Sequence, residues 1–327
     1  MDNLTHSLAG WAIGQAGLKR KSRKGLAALI LGANAPDIDV FFGHAPWEPL
    51  AMHRGLTHSL IGGVIILPLL LTGLLLLLDR WQVGRGARFR SGLAMRPGWL
   101  LALAYIGTIT HPLLDMLTTY SVQLLSPISG GWWHADALFI IDAFLWITLP
   151  LGIELSRWRE KAGRADWARP AQVAVAAALA YIAFNLGLTE RAKADLHARA
   201  DTPTGSGIFA SPPPVFFWRR DLVWKEGAGY AHATWDPLAG GLSAPPYEWR
   251  PSGLSDPLVR RALLSPDMKS FRGWSVMPLG MVETTGCTAT VTLGDARYAF
   301  LMRNGPLSRK VRFPVEGCTE PAPPPAG

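Results

Sequence analysis

Residues 60–78 read LIGGVIILPLLLTGLLLLL, nineteen positions without a charge. At 1.5 Å per residue a helix over this stretch spans about 28 Å, enough to cross a hydrocarbon core of about 30 Å. Lipid offers no partner to a bare peptide group, so a segment of this kind is expected to be helical. Working outward, three further apolar stretches follow: Trp99 to Tyr120, Leu138 to Leu155 and Gln172 to Leu188. Two shorter ones precede it, Leu4 to Leu18 and Gly25 to Phe42, the second interrupted by the polar run Asn34 to Asp39. Of the 327 residues only 17% are charged, against about 25% in a soluble domain. The expectation is a mainly α polytopic membrane protein with four to six membrane helices.

The net charge of +8 would suit a nucleic-acid binder if the cations formed one patch. They fall instead into three short clusters: Lys19, Arg20, Lys21, Arg23 and Lys24; Arg80, Arg85, Arg88, Arg90 and Arg96; Arg157, Arg159, Lys161, Arg164 and Arg169. No Lys or Arg lies between Pro97 and Ser156. Because short cytoplasmic loops collect Lys and Arg, the clusters read as topology, and no nucleic-acid partner is expected. Placing all three inside makes Met1 to His6, Ala35 to His58, Ser121 to Ala137 and everything after Thr189 face outward. The amino end has no basic stretch or small-residue cleavage site, so it is expected to be retained.

After about residue 190 the composition changes, and Pro and Gly become frequent among short β-type runs. The expected organisation is a helical membrane domain over 1–190, a β-rich extracytoplasmic domain over 191–320 and a disordered tail over 321–327. Candidate strands are Val215 to Trp224, Gly229 to Trp235, Thr288 to Leu293, Ala296 to Met302 and Lys310 to Val315. The two cysteines, Cys287 and Cys318, have no C-x-x-C metal spacing, and in an oxidising compartment they could bridge.

Ionisable side chains at membrane depth are costly and mark function by default. Five motifs carry them: Thr5-His6; Asn34-Ala-Pro-Asp37-Ile-Asp39; His53-Arg54-Gly-Leu-Thr57-His58-Ser59; His111-Pro-Leu-Leu-Asp115; and His134-Ala-Asp136 followed by Asp142. In the topology set by the basic loops, each lies at the outer end of its segment, although none of these residues entered that argument. His111 and Asp115 stand at i and i+4, on one helix face. Imidazoles and carboxylates converging from separate elements suit Zn²⁺, Mn²⁺ or Fe²⁺. The candidate ligands are His6, Asp37, Asp39, His53, His58, His111, Asp115 and Asp142, enough for one or two ions. Asp39 or Asp115, if left unligated, could support a ligand histidine from behind or act as general base, and Arg54 could grip a phosphate or carboxylate with its planar fork.

With these motifs in these places, the chain resembles the YdjM/YbcI family of bacterial inner-membrane proteins, which are predicted metal-dependent hydrolases. The elements His53-Arg-Gly-Leu-Thr-His58-Ser and Pro36-Asp37-Ile-Asp39 carry the resemblance. Thr5-His6 with Gly10, His111-Pro-Leu-Leu-Asp115 and Leu138-Phe-Ile-Ile-Asp142 extend it, and Phe217-Trp218-Arg219, Phe271-Arg-Gly-Trp274 and Gly294-Asp295-Ala-Arg297-Tyr298 continue it past the spans. The resemblance implies a membrane-embedded hydrolase. One departure is Ser121, which stands where the family pattern calls for glycine and so bears on the tightness of that turn.

The function expected is hydrolysis of an amphiphilic, lipid-like ester or phosphodiester by metal-activated water at the outer interface. Two other classes compete: an ion- or proton-coupled transporter using the same His and Asp groups, and a non-catalytic assembly protein. A transporter would be expected to show paired broken helices in two matching halves, and only the Asn34 to Asp39 interruption is present.

Overall fold

The computed structural model describes residues 1–42, 54–199, 207–244, 247–301, 307–315 and 318. About half of the chain is helical, and a β-rich region follows. Helix α1, Asn3–Gln15, opens on Asp2, whose carboxylate accepts from the Thr5 amide at 3.0 Å, satisfying one of the donors a helix start leaves bare. Helix α2, Gly25–Asn34, stops just before Pro36 and gives way to a 3-10 segment, Ala35–Phe42. Proline has no N–H for the helix ladder, and its ring collides with the carbonyl four residues back. The polar interruption read in the sequence is therefore a real helix end.

The decisive apolar stretch begins later than its hydropathy suggests. Leu56–His58 forms a 3-10 turn, Gly62–Ile66 a π turn, and only then does helix α3 run over Leu67–Gly84. Three long helices follow: α4 over Pro97–Met116, α5 over Ala143–Lys161 and α6 over Arg169–His197. Helix α5 starts five residues after Leu138, because Asp142 caps it by accepting from the Leu145 amide at 3.1 Å. Among the described residues, two stretches have the length and apolarity to cross a membrane, Gly62–Gly84 and Arg169–His197.

Glycines let the first helices touch at backbone level. A Cβ at Gly10 of α1 or at Gly107 of α4 would stand 2.7 Å or 2.5 Å from the same Leu29 carbonyl of α2, and one at Gly32 would stand 2.8 Å from the Ala104 carbonyl. Helix α2 is thus clamped between α1 and α4. The basic clusters gather at the end of these helices remote from His6, Asn34 and Asp115. There Lys19 pairs with Glu160 at 2.5 Å, Arg23 with Asp79 at 2.6 Å, and the Arg23 amide donates to the Ala94 carbonyl.

Helix α6 runs through the expected boundary at residue 190, and its last turns enter the β region, where Ala192 and Leu196 share a core with Leu222, Trp224 and Trp235. The first sheet is antiparallel in the order β1 (Phe209–Ser211), β2 (Arg220–Glu226), β3 (Gly229–Asp236), β4 (Gly241–Leu242), with β5 (Glu248–Pro251) also on β3. The second is the meander β6 (Pro278–Thr285), β7 (Thr288–Asp295), β8 (Arg309–Pro314). It is covered by α7 (Pro257–Leu264) and α8 (Lys269–Trp274). Cys287 and Cys318 are bridged, with Cα atoms 5.3 Å apart.

Two strand expectations shift. The chain from Val215 pairs only from Arg220, and Ala296–Leu301 is a 3-10 segment rather than a strand. The reason for the second is local: the Asp295 carboxylate accepts from the Arg297 amide at 3.0 Å and turns the chain out of the sheet.

Candidate metal centre

The first shared feature of four of the motif residues is burial. His6, His58 and His111 are 0% exposed and Asp115 is 1% exposed, which for ionisable groups demands partners. With Asp37 they come from four stretches of the chain. His6 sits in the first turn of α1, Asp37 in the 3-10 segment behind α2, His58 in the turn leading to α3, and His111 and Asp115 one turn apart near the end of α4.

Their reactive atoms meet. His111 Nε2 lies 2.9 Å from His58 Nε2 and 3.1 Å from Asp37 Oδ1. Asp115 Oδ2 lies 3.2 Å from His58 Nε2 and 3.5 Å from His111 Nε2. His6 stacks on His111, with ring centroids 3.7 Å apart, and its Nε2 is 3.5 Å from Asp115 Oδ1. Two overlapping triads, His6-His111-Asp115 and Asp37-His58-His111, each bring one donor atom per residue within 4.8 Å of the others.

The outer nitrogens of two imidazoles are fixed from behind. His111 Nδ1 is 2.6 Å from the Ala33 carbonyl, which can only accept, so Nδ1 carries the proton and Nε2 presents a lone pair. For His58 the support is a two-step relay. The Thr57 hydroxyl donates to Asp39 Oδ2, and its oxygen is 3.1 Å from His58 Nδ1, where it can accept that proton. This is how histidine ligands are ordinarily oriented by their outer partners. Sequence reading placed Asp39 among the ligands, or behind one of them if unligated; the structure places it behind His58, reaching the cluster through Thr57.

Asp115 has two different sides. Oδ1 faces cationic groups, the Met1 α-ammonium and Arg54 NH2 at 3.3 Å. Oδ2 makes no hydrogen bond, and neither does either nitrogen of His6. Leaving three such atoms buried and unpaired would cost about 1–3 kcal/mol each. An electron-pair acceptor would take Asp115 Oδ2 and one His6 nitrogen, the other carrying the ring proton, so the residues present fit a divalent ion bound through nitrogen and oxygen.

Arg54 joins the cluster to the chain beyond it. Its NH1 donates to the Ser121 carbonyl at 3.3 Å, and its guanidinium lies 5.5 Å from the Tyr120 ring centre. Ser121 has φ +66°, the left-handed backbone that glycine adopts without strain. Ser121, standing where the sequence reading expects glycine, thus keeps a glycine-like backbone conformation.

The remaining candidates are not brought to the cluster. Asp142 uses one oxygen to cap α5 and the other to accept from the Tyr181 hydroxyl at 3.0 Å. His134 bonds Asp136 at 2.9 Å, and Asp136 accepts from the Ala210 amide at 2.9 Å, which ties the outer loop to β1. Burial pushes the Asp136 carboxyl up, but His134, Lys193 and that amide hold it below the usual carboxylate range. His53 lies outside the described residues.

A family model, YdjM inner membrane protein, matches residues 1–192. The chain belongs to the YdjM inner membrane protein family. The match covers α1 to α5, most of α6 and every residue of the cluster described above. No curated protein and no solved structure matches the chain. Of the eight ligand candidates read from the motif pattern, the structure groups His6, Asp37, His58, His111 and Asp115. The pattern could not show the Thr57 relay or the Ala33 carbonyl. A hydroxyl immediately before a ligand histidine, as in Thr57-His58, was the available signal for the first.

Proposed function

We propose that this YdjM-family protein is a hydrolase with four to six membrane helices, its β region outside the cytoplasmic membrane, and that it cleaves an ester or phosphodiester in an amphiphilic substrate. The observation that carries this reading is the donor set: three histidines and two aspartates from four stretches of the chain, buried together, with Asp115 Oδ2 and the His6 ring making no hydrogen bond and the His111 lone pair turned to the cluster. His6, Asp37, His58, His111 and Asp115 would hold one or two ions, and zinc suits such donors best, with manganese and iron also compatible. A divalent ion there would supply a water nucleophile at neutral pH and an electrostatic sink for the oxygen that gains charge.

The chain's own groups do the rest. His58 and His111 are held in one tautomer by the Thr57-Asp39 relay and the Ala33 carbonyl. Arg54 spends one nitrogen on Asp115 and one on the Ser121 carbonyl, while its Nε makes no hydrogen bond. That N–H is available to an anionic oxygen of the substrate. The gathering of all three basic clusters at the opposite helix ends supports placing the centre at the outer boundary, where an amphiphile presents its linkage while its chains stay in lipid.

The test is elemental mass spectrometry on detergent-purified protein beside Asp37→Ala and His58→Ala. The expected result is bound zinc or manganese in the wild type, lost in both variants while the helical content stays unchanged. A wild-type protein prepared without chelators that holds no metal after reconstitution with either ion would overturn the reading.

A further inference from the structure

A second cavity-forming region lies on the far side of Tyr120 from Arg54. A cavity of about 400 Å³ is bounded by residues 118–120 and 138–140 below, and by Phe209, Val223 and Leu279 of the sheets above. Its lining is mostly apolar. The one cation deep in its wall, Arg297, is neutralised by Asp295 through bonds of 2.7 and 3.0 Å.

Three observations say what the cavity suits. First, exposed apolar residues directly follow lining residues along the chain: Ile141 follows segment 138–140, and Val215 and Phe216 follow the lining prolines 212–214. These three are 49%, 73% and 44% exposed. Exposed apolar residues beside an apolar lining favour a hydrocarbon neighbour over water, and Ile141 lies just before the start of α5. Second, the polar lining residues Asp221, His232, Glu248 and Arg250 are tied to one another, with His232 4.0 Å from both carboxylates and Glu248 bonded to Arg250. Third, the wall toward the metal centre is thin. Tyr120 lines the cavity and carries Arg54 over its ring, and the Thr118 hydroxyl bonds the Asp115 carbonyl at 2.8 Å. Tyr298 packs on Tyr120 at 4.9 Å, and its buried hydroxyl makes no hydrogen bond.

We infer that this cavity binds one hydrocarbon chain of a membrane amphiphile, taken in beside Ile141, Val215 and Phe216. The chain's polar linkage then lies against the Tyr120-Tyr298 wall next to the centre. The inference rests on the hydrolase reading for its purpose, and on the cavity and the exposed apolar residues beside its lining for its chemistry. It gives the outer β region a role: its sheets form the roof of the chain site.

The test uses the full chain in phospholipid nanodiscs containing a phosphatidylglycerol with a photoreactive diazirine near the methyl end of one acyl chain. After irradiation, adducts are mapped by peptide mass spectrometry, and metal content is measured on the same sample. The expected result is adducts in the peptides containing Phe209, Val223 and Leu279, lost in Val223→Trp and in Leu279→Trp, with metal content unchanged. Wild-type adducts confined to Gly62–Gly84 and Arg169–His197, with the sheets unlabelled, would overturn the inference even if either tryptophan variant fails to fold. Sheet labelling in a protein that holds no metal would sink the hydrolase reading and leave the chain site standing. Metal retained without sheet labelling would do the reverse.

Discussion

Replacing Thr57 by valine tests the construction of the centre without touching a proposed ligand. Valine keeps the volume and removes the hydroxyl that donates to Asp39 and faces His58 Nδ1 at 3.1 Å. One charge-assisted hydrogen bond is worth about 1.5–3 kcal/mol, and loss of a partner behind a histidine ligand lowers metal affinity about 10–100-fold. The two ranges agree, since tenfold is about 1.4 kcal/mol. The expected outcome of a chelator competition with zinc is therefore a fall of one to two orders of magnitude for Thr57→Val. Thr57→Ser, which keeps the hydroxyl, should stay within about twofold of wild type. Equal affinities for wild type and Thr57→Val, or equal losses for both variants, would refute the relay.

Four other outcomes follow from particular contacts. Asp142→Asn should leave metal content unchanged, whereas Asp142→Ala should lower the thermal midpoint by removing a helix cap worth about 1 kcal/mol; metal loss in Asp142→Asn would return that residue to the ligand set. Arg297→Met strands the buried Asp295 and should cost about 3–5 kcal/mol, read as earlier exposure of the tryptophans of the β region in denaturant. Burial pushes the Asp295 carboxyl up, yet the Arg297 guanidinium holds it below its ordinary value. Its contribution is therefore complete above the unfolded carboxylate pKa of about 3.9 and is lost as pH falls from there through the lower folded value. Tryptophan emission followed down an acid titration should show that loss in wild type and not in Asp295→Asn. Finally, Cys287 and Cys318 are 31 residues apart, and opening a loop of that size should cost about 3–4 kcal/mol, measurable as a lower midpoint for Cys287→Ser with Cys318→Ser.

What the sequence disclosed depended on which kind of physics set each feature. The expected alternation of helix ends put all five polar motifs on one side, and from them the structure brings His6, Asp37, His58, His111 and Asp115 together. Hydropathy is blind to a capping carboxylate, so the apolar run from Leu138 hid that α5 begins after Asp142. It is equally blind to a side chain that turns its own backbone, which is why Ala296 to Met302 read as a strand. The β6 strand was missed because its Gly280, Glu283 and paired threonines dilute the alternation. Contacts made by backbone carbonyls, such as Ala33 on His111, carry no residue signature at all.

The spread of the ligands along the chain has a consequence for how the protein comes to exist. Asp37 and His58 lie 74 and 53 residues before His111, and α2 must already be wedged between α1 and α4 for their side chains to meet. While the chain is being synthesised and inserted, the early helices therefore carry isolated, protonatable groups that no lone segment can satisfy. Only the arrival of α4 closes the set. Both candidate triads contain His111, so a chain halted before that helix would assemble neither of them.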